Sequence, residues 1–326
     1  MREQGTIKLI NCRKLLHTSV LVIAASSLPA KALAYDIESI VLSAAAIAKK
    51  LQERPEYQKA AESIQGMVNA KSEGTDSPIH NAALNLPVSA VTGLHEYDFG
   101  VFKALMNCDD RTASIVWRTE RLDTGNFDRY NRFFIDPNLP KKCQPKSTGT
   151  YKWSGNPSYD RGHLSDSNGF DYSDEAIRAS NLMINVVPQI SSINQRGSWR
   201  EVEKRVECMR TPRFIGDGKS LTTISGVIWG DDLSDDHFLA SHGQKTPSQL
   251  FKIVVERNPS GNKSYAWIFP NDRLEPKRVN VDNYLVSPEQ IERVTGYKQL
   301  RLLVPEDVYQ TVAPKTPNLV NGCDLS

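Results

Sequence analysis

The sequence contains few of the residues on which several classes of protein depend. Its 326 residues include only five cysteines and six histidines, and the cysteines do not have the spacing of a zinc site. No internal repeat or low-complexity tract is present, which excludes a repeat architecture. The formal net charge is only +2, so overall composition does not indicate nucleic acid as a partner.

Beyond the N-terminus, no apolar run approaches the length of a membrane span. At the N-terminus, basic residues precede the apolar run Leu15–Ala30, and the small residues Ala32–Ala34 follow it. This order is typical of a secretory signal peptide, here residues 1–34, whereas the alternative, an N-terminal anchor, would need a longer unbroken run. We therefore expect a secreted or periplasmic protein with no stable membrane association after cleavage.

Cleavage after Ala34 would also change the charge and the cysteine count. It would remove five basic residues and one acidic residue, so that the formal charge falls from +2 to −2. Four cysteines would remain, and an even number in an exported chain favours disulfides over free buried thiols. Three pairings are open; we prefer Cys108–Cys143 with Cys208–Cys323, because the second pair would tether the C-terminal tail.

The first part of the mature chain is helical in pattern. Between Asp36 and Arg54 apolar residues recur at intervals of three and four, and Pro55 can start a second helix to about Ala70. Lys71–Pro87 is rich in turn formers and indicates a linker. We therefore expect a helical hairpin and linker over residues 35–87 and the main domain over residues 88–326. The hairpin is predicted to pack on the domain or on a partner.

From Val91 onward the pattern changes to strands and loops. Thr112–Thr119 and Leu221–Gly230 are β-rich, and the segments that flank Pro259–Asn262 indicate a hairpin. Ser287–Gly296 begins with a Ser-x-x-Gln capping box and ends at glycine, as a short helix does. The strands do not alternate regularly with helices. The predicted fold class is therefore α+β, with a largely antiparallel central sheet and flanking helices.

One polar segment places a histidine among charged residues. In "YDRGHLSDSNGF" (Tyr159–Phe170), His163 follows Asp160, Arg161 and Gly162. A lone histidine is more often structural than catalytic. Catalysis would need a base, an anion binder and usually a metal close together.

A second segment, Asn185–Met209, carries a helix pattern opened by a Ser198–Glu201 capping box. A carboxylate on its apolar side is either a solvated flank or a group directed into a cleft, and the pattern alone favours the flank. The residues that share this side are Trp199, Val202, Glu203 and Val206.

Together these segments resemble the DNA/RNA non-specific endonuclease family of ββα-metal nucleases. The resemblance rests on "DRGH" at Asp160–His163, followed in order and spacing by Asn194, Trp199 and Glu203. It implies a ββα-metal active-site motif. It also implies a Mg²⁺-dependent endonuclease that hydrolyses phosphodiester bonds in DNA and RNA without sequence specificity. The resemblance covers about Phe99 to Val286, with further matches at Val116–Gly125, Arg129–Pro140, Thr246–Val255 and Phe269–Asp272.

The resemblance assigns a chemical role to three of the matching residues. His163 would be the general base that takes a proton from the attacking water, a task that a near-neutral pKa suits. Asn194 would be the one direct protein ligand of Mg²⁺, with Mn²⁺ as the alternative ion. Glu203 would hold metal-bound water and help to supply the proton of the leaving group.

The resemblance also assigns supporting roles. Asp160 and Arg161 would shape the loop and approach the network of metal-bound water and phosphate, and Asn185 would orient His163. An arginine of the basic loop would clamp the scissile phosphate. Arg132 is the first choice for this clamp and Arg129 the second.

Two departures from the family's pattern stand out. Leu164–Ser167 replaces the small residues and proline that often follow the histidine, which should alter the loop more than the chemistry. The family usually has two residues between Asn-Gln and the tryptophan, and this chain has three. Asn194 and Glu203 are therefore nine residues apart, which is a rotation of about 180° on an unbroken helix. We expect a local irregularity at Gly197: either the helix begins near Ser198 with Asn194 in the preceding loop, or a π-bulge absorbs the extra residue.

The expected partners are DNA and RNA, bound through the phosphate backbone. Two basic runs lie beside the proposed cleft, where they can contact phosphate. The sequence leaves open whether the protein forms a homodimer. The alternative function is a catalytically weak relative that binds nucleic acid or a protein through the same face. The basic residues are Lys141, Lys142, Lys146, Lys152, Arg196, Arg200, Lys204, Arg205, Arg210 and Arg213.

Overall fold

The structure is a computed structural model that describes residues 86–87, 94–125, 127–272, 274–276, 279–319 and 323. All of these residues belong to one contact unit, Ile79–Ser326. The predicted signal peptide and the predicted helical hairpin lie outside the described residues, so the predicted domain limits stay predictions. No helix in the described part of the chain is long and apolar enough to cross a membrane.

The described residues form ten strands and six α-helices, with short 3₁₀ turns between them. The strands are β1 (Leu86–Pro87), β2 (Leu94–Asp98), β3 (Lys103–Asn107), β4 (Thr112–Thr119), β5 (Tyr159–His163), β6 (Val186–Ile190), β7 (Ser220–Ile228), β8 (Gln249–Arg257), β9 (Lys263–Pro270) and β10 (Leu285–Val286). The helices are α1 (Asp174–Ser180), α2 (Ser191–Arg196), α3 (Ser198–Met209), α4 (Pro288–Thr295), α5 (Leu300–Leu303) and α6 (Glu306–Tyr309).

The predicted fold class is confirmed. Eight strands form one antiparallel sheet in the order β1-β2-β3-β4-β7-β8-β9-β10, and β5 pairs antiparallel with β6 in a separate two-stranded sheet. The β-rich segments at β4 and β7 lie in the sheet centre, and β8 and β9 form the predicted hairpin. Leu86 and Pro87, predicted as linker, instead form the edge strand β1 against β2.

The central strands are buried on both faces because helices and loops cover each side. On β8, Leu250 and Val254 belong to one hydrophobic cluster, and Phe251 and Ile253 belong to the other. This alternation follows from the two-residue period of a strand. The first cluster contains Trp199 of α3, so α3 packs on the same face of the sheet as the side chains of Leu250 and Val254.

The short helix predicted over Ser287–Gly296 is confirmed in detail as α4. Ser287 accepts a hydrogen bond from the Gln290 backbone N–H, and the Gln290 side chain accepts one from the Ser287 backbone, which completes the capping box. Gly296 ends the helix in the left-handed region at φ 72°, where a residue without Cβ fits best. The preferred disulfides, Cys108–Cys143 and Cys208–Cys323, are both present.

The start of α3 differs from the prediction. Ser198 is the first helical residue and Gly197 is the N-cap, with no side-chain cap from either. The Ser198 hydroxyl donates instead to the Glu275 carboxylate at 2.9 Å. The predicted Ser198–Glu201 capping box is therefore wrong, because a distant carboxylate occupies the place of a local cap.

Candidate active site

The hairpin β5–β6 displays the Asp-Arg-Gly-His segment and leads directly into α2 and α3. Gly162 pairs with Val187 in this hairpin, and the buried side chain of Gln189 lies against Gly162, where a Cβ would overlap it. The Gln189 amide donates to the His163 carbonyl at 3.3 Å. Glycine is therefore required at position 162, because the Gln189 side chain lies close to its Cα. From there Gln189 holds the backbone carbonyl of His163.

The His163 ring is held by Asn181. The Asn181 amide group donates to the carbonyls of Tyr130 at 2.7 Å and Arg132 at 2.9 Å. Both partners are acceptors, so the orientation of the amide is set and its Oδ1 faces His163 Nε2 at 2.8 Å. Because Oδ1 can only accept, Nε2 carries the proton and Nδ1 is the nitrogen with a free lone pair.

The environment of His163 keeps its ring neutral. Burial lowers the pKa of His163 to about 4, and the positive charges of Arg129 and Arg161 act in the same direction, while the bond to Asn181 and the charge of Asp166 oppose them. A neutral ring with an available lone pair is the form that a general base needs.

Asn185 does not take the position that the resemblance implies. Its buried amide donates to the carbonyls of Ser165 and Ser180, both at 2.9 Å, and its Oδ1 accepts from the Ser165 backbone N–H at 2.9 Å. It thus secures the turn that follows His163. Asn181, not Asn185, is the asparagine that contacts the imidazole.

Arg161 lies to the side of the histidine, on an aromatic ring. Its guanidinium donates to the Thr148 carbonyl at 2.9 Å and sits 3.9 Å above the Phe133 ring. Phe133 in turn packs against His163, with ring centroids 5.5 Å apart. Arg161 therefore packs on Phe133, which in turn contacts His163, and it places a positive charge near the His163 ring.

Asp160 joins β5 to α2. Its Oδ1 accepts from the Ser191 hydroxyl at 2.8 Å, and its Oδ2 accepts from the amides of Asn194 and Gln195, both at 2.9 Å. The carboxylate can only accept, so it is the Asn194 nitrogen that faces Asp160. The amide oxygen Oδ1 of Asn194 is the atom that remains for a ligand.

The helix is interrupted between Asn194 and Glu203, as predicted. α2 ends at Arg196, Gly197 is extended at φ −96° and ψ −154°, and α3 begins at Ser198. The break absorbs the residue that this chain has beyond the family's usual spacing. Asn194 lies in the short helix α2 rather than in a preceding loop.

Glu203 is a buried carboxylate of α3 with a raised pKa. Burial, and then the negative charge of Asp166, raise the pKa of Glu203 to about 7, against the lowering effect of Lys252, Arg200 and Arg129. The Arg200 guanidinium lies 3.7 Å from the Glu203 carboxylate. The flank interpretation of Glu203 is therefore wrong, and near neutral pH the group can both hold and release a proton.

Lys252 of β8 contacts two of the segments that form the site. Its side chain is fully buried, and its ammonium donates to the Leu164 carbonyl at 3.2 Å and to the Ser225 hydroxyl at 3.0 Å. The same ammonium lies 4.4 Å above the Trp199 ring. It thus links the backbone after His163 to the helix that carries Glu203.

Buried charged side chains next to the site form a network of ion pairs around Arg118 and Arg210. Burial alone would raise the pKa of Asp166, but the guanidinium of Arg118 and the ammonium of Lys252 lower it to about 2. Arg210 pairs with Glu207 at 2.6 Å and is shielded from solvent. The prediction that Arg210 contacts phosphate is therefore wrong, because this guanidinium is buried and forms ion pairs with carboxylates inside the domain.

The two basic-loop arginines differ in their relation to the site. Arg129 is exposed, and its charge acts on both His163 and Glu203. Arg132 is also exposed, and its contact with the site is its backbone carbonyl, which accepts from Asn181. The electrostatics favour Arg129, the second choice, over Arg132 as the residue that faces a bound phosphate.

Several residues of the site had no signal in the sequence. Asn181 lies in a helix terminus 18 residues after His163, and Lys252 is one basic residue in a β-rich run. Tertiary pairing alone brings them to the histidine. Gln189 is the exception, since it lies within Asn185–Met209, the second segment of the resemblance, where it pairs with Asp160 and its side chain lies against Gly162.

The donor set suits a hard divalent cation. Asn194 offers an amide oxygen, Asp160 and Glu203 are carboxylates, and such oxygen ligands are typical of Mg²⁺ and Mn²⁺. Among the described residues no three His, Cys, Asp or Glu side chains form a metal cluster, and the candidate ligand here is an amide. The residues present therefore fit an ion that has one direct protein ligand and keeps most of its waters.

The hairpin with its histidine, followed by α2 with Asn194 and α3 with Glu203, is the arrangement of a nucleic-acid phosphodiester hydrolase of the ββα-metal type. The profile of the DNA/RNA non-specific endonuclease family matches residues 85–304. This chain belongs to that family.

Curated relatives agree with the assignment. A nuclease of Nostoc sp. is 27% identical over 217 residues, which cover 63% of this chain and 72% of the relative. Human mitochondrial endonuclease G is 24% identical over 207 residues, which cover 58% of this chain and 64% of the relative. The second match thus spans just under two thirds of that relative's length.

A solved structure shares the fold. A chain in the crystal structure of the EndoG/EndoGI complex superposes with a TM-score of 0.50 at 16% identity, and the match covers 62% of this chain and 83% of the other. This likeness supports the architecture of the main domain alone.

Proposed function

We propose that this protein is an exported, Mg²⁺-dependent endonuclease that hydrolyses phosphodiester bonds of DNA and RNA without sequence specificity. The observation that carries the proposal is the His163–Asn181 contact, which leaves Nδ1 of a neutral, partly buried imidazole as the proton acceptor. The family supports nucleic-acid hydrolysis as the reaction class.

The proposed reaction divides proton transfer between two residues. His163 Nδ1 takes a proton from the water whose oxygen forms the new bond to phosphorus. The bond from phosphorus to the 3′ oxygen breaks, and Glu203, with a pKa of about 7, donates the proton that the leaving oxygen needs. The products are a 5′-phosphate and a 3′-hydroxyl.

Two further groups would act on the charge of the substrate. Asn194 would hold the cation through Oδ1, and the chemistry that the ion supplies when bound is stabilisation of negative charge on the phosphate and the leaving oxygen. Arg129 would donate hydrogen bonds to the scissile phosphate. Asp160 keeps Asn194 oriented for this task through its 2.9 Å hydrogen bond.

Phosphate contacts outside the site would supply binding without base recognition. Arg200 faces Glu203, and Lys204 and Arg205 pair with Glu201 at 2.8 and 3.1 Å. These pairs reduce the charge that α3 presents to a substrate. The exposed basic residues that stay as candidates are Lys141, Lys142, Lys146, Lys152, Arg196 and Arg213. A homodimer stays a prediction.

The test is cleavage of supercoiled plasmid and of a structured RNA by the purified mature chain, with Mg²⁺ and with EDTA. We expect metal-dependent cutting of both substrates, and fragments with 5′-phosphates that a 5′-phosphate-dependent exonuclease digests. Folded protein that binds these substrates without cutting them would contradict the proposal and favour a binding module.

Export is a separate part of the proposal. It is supported by the order of basic, apolar and small residues before Tyr35, and by two disulfides of a kind that oxidising compartments favour. N-terminal sequencing of protein recovered from the periplasm or medium should begin at Tyr35. Recovery of the uncut chain from the cytoplasm alone would contradict export.

A further inference from the structure

The break between α2 and α3 is spanned by one residue from a distant part of the chain. Glu275 is 8% exposed. Its carboxylate accepts from the Ser198 backbone N–H at 2.7 Å and from the Ser198 hydroxyl at 2.9 Å. Its own backbone N–H donates to the Ser192 hydroxyl at 3.0 Å. Glu275 therefore contacts the first turn of both helices.

Glu275 takes the place of a missing cap. The first N–H groups of any helix have no partner within the helix, and neither Gly197 nor Ser198 caps α3 with its own side chain. A carboxylate at this end satisfies those donors and also lies at the favourable end of the helix dipole. The Tyr284 hydroxyl donates to the same carboxylate at 2.8 Å and holds it in place.

Gly197 is the residue that lets the two helices come this close. A Cβ at position 197 would lie 2.7 Å from the Ser192 carbonyl oxygen and 2.9 Å from the Ile193 Cα, and it would overlap the Glu275 carboxylate. The φ of Gly197 is −96°, which any residue can adopt. Space, rather than backbone conformation, therefore requires glycine here.

The angle at this break decides whether Asn194 and Glu203 can serve one site. Nine residues on a continuous helix would turn them about 180° apart. We propose that Glu275 is a positioning residue that sets α2 against α3, so that the Asn194 oxygen and the Glu203 carboxylate face the same cation. This role rests on the proposed function and adds a residue that touches neither substrate nor ion.

The experiment compares Glu275→Ala and Glu275→Gln in the full mature chain. Mn²⁺ affinity is measured by electron paramagnetic resonance, and kcat and KM are measured on a single-stranded oligonucleotide. We expect Glu275→Ala to weaken Mn²⁺ binding by about tenfold or more and to lower kcat by about 10- to 100-fold, as for other residues that orient metal ligands. KM should change by less than about twofold, because phosphate contacts are retained.

Glu275→Gln keeps an acceptor for the Ser198 N–H and should restore most of the Mn²⁺ affinity. The matched control is Ser287→Ala, which removes the cap of α4. It should lower thermal stability, as the loss of a cap does, while Mn²⁺ affinity and kcat stay within about twofold of the wild type. A role in stability alone would give the two alanine variants the same profile.

Each result supports or overturns the role of Glu275. Folded Glu275→Ala with wild-type Mn²⁺ affinity and kcat would overturn it. If Glu275→Ala does not fold, Gly197→Ala, which pushes the helices apart, decides: weaker Mn²⁺ binding supports the role, and wild-type affinity overturns it. A folded wild-type chain that neither binds Mn²⁺ nor cuts would overturn the proposed function, and this role with it.

Discussion

The Nε2 atom of His163 lies 2.8 Å from the Oδ1 atom of Asn181. Asn181 is itself anchored to the backbone carbonyls of Tyr130 and Arg132, in the loop that carries Arg129. One asparagine thus determines the tautomer of the base and ties the base to the loop proposed to bind phosphate. The geometry of proton transfer and the geometry of substrate binding are set by the same residue.

Asn181→Ala should lower kcat by about 10- to 100-fold, the range found for residues that orient a functional group. The substitution frees the ring to rotate and to exchange tautomers, and it leaves the Tyr130 and Arg132 carbonyls without their donor. Single-turnover cleavage rates, with folding checked by circular dichroism, provide the measurement. A folded variant with wild-type turnover would show that Asn181 does not set the tautomer that matters.

The His163 ring should titrate far below the usual range of histidine. With a folded pKa of about 4 against 6.5 for the free side chain, the unfolded chain binds the proton first as pH falls. This histidine therefore contributes stability above about pH 6.5 that is lost as pH falls toward 4. NMR titration of the metal-free protein measures the midpoint directly.

Arg129→Gln tests the cause of that shift. Its positive charge lowers the pKa of both His163 and Glu203, so its removal should raise both midpoints and should weaken phosphate binding. Arg132→Gln, a loss of the same charge in the same loop, is the matched control and should move them less. Equal shifts in the two variants would contradict the assignment of Arg129 to the site.

Gly162→Ala should destabilise the fold and lower activity. The new Cβ would meet the buried Gln189 side chain, and such overpacking typically costs about 1–3 kcal/mol. Gly149→Ala is a suitable control, because its Cβ would meet the Ser147 hydroxyl at 3.1 Å and His242 Nε2 at 4.0 Å, without overlap. Urea unfolding of both variants measures the difference, and equal midpoints would contradict the close approach at Gly162.

Much of this fold was readable from local sequence. The hairpin of β8 and β9 and the capped helix α4 were predictable because turn residues and caps act within a few positions of the elements they delimit. The break at Gly197 was predictable because the extra residue would otherwise separate Asn194 from Glu203. A family resemblance supplied the roles of these site residues.

The residues that support the site were not readable in the same way. The partner of His163 is Asn181 and not the predicted Asn185. The first turn of α3 is capped by Glu275 and not by the predicted Ser198–Glu201 capping box. In both cases tertiary packing brings the partner from another segment of the chain. Arg210 belongs to a basic run in the sequence, yet its guanidinium is buried against Glu207. A charge run in a sequence does not show which members face other charges inside the domain.

The Cys208–Cys323 disulfide links the last turn of α3 to the C-terminal tail across 115 residues. Removal of a cross-link from a long loop typically costs about 2–5 kcal/mol. The double variant Cys208→Ser, Cys323→Ser should therefore lose stability by this amount in denaturant unfolding without reductant. With reductant, wild type and variant should become similar, and a difference that persists would contradict the disulfide as the cause.

The most direct test of His163 as the general base is the cleavage rate of His163→Ala, measured on plasmid and on RNA in Mg²⁺, beside His95→Ala. His95 is an exposed histidine on β2 and serves as the control. We predict a loss of about 10²- to 10⁴-fold for His163→Ala, the usual contribution of a general base, and a rate near wild type for His95→Ala. Folded His163→Ala that cuts both substrates at the wild-type rate would contradict the assignment of His163 as the base.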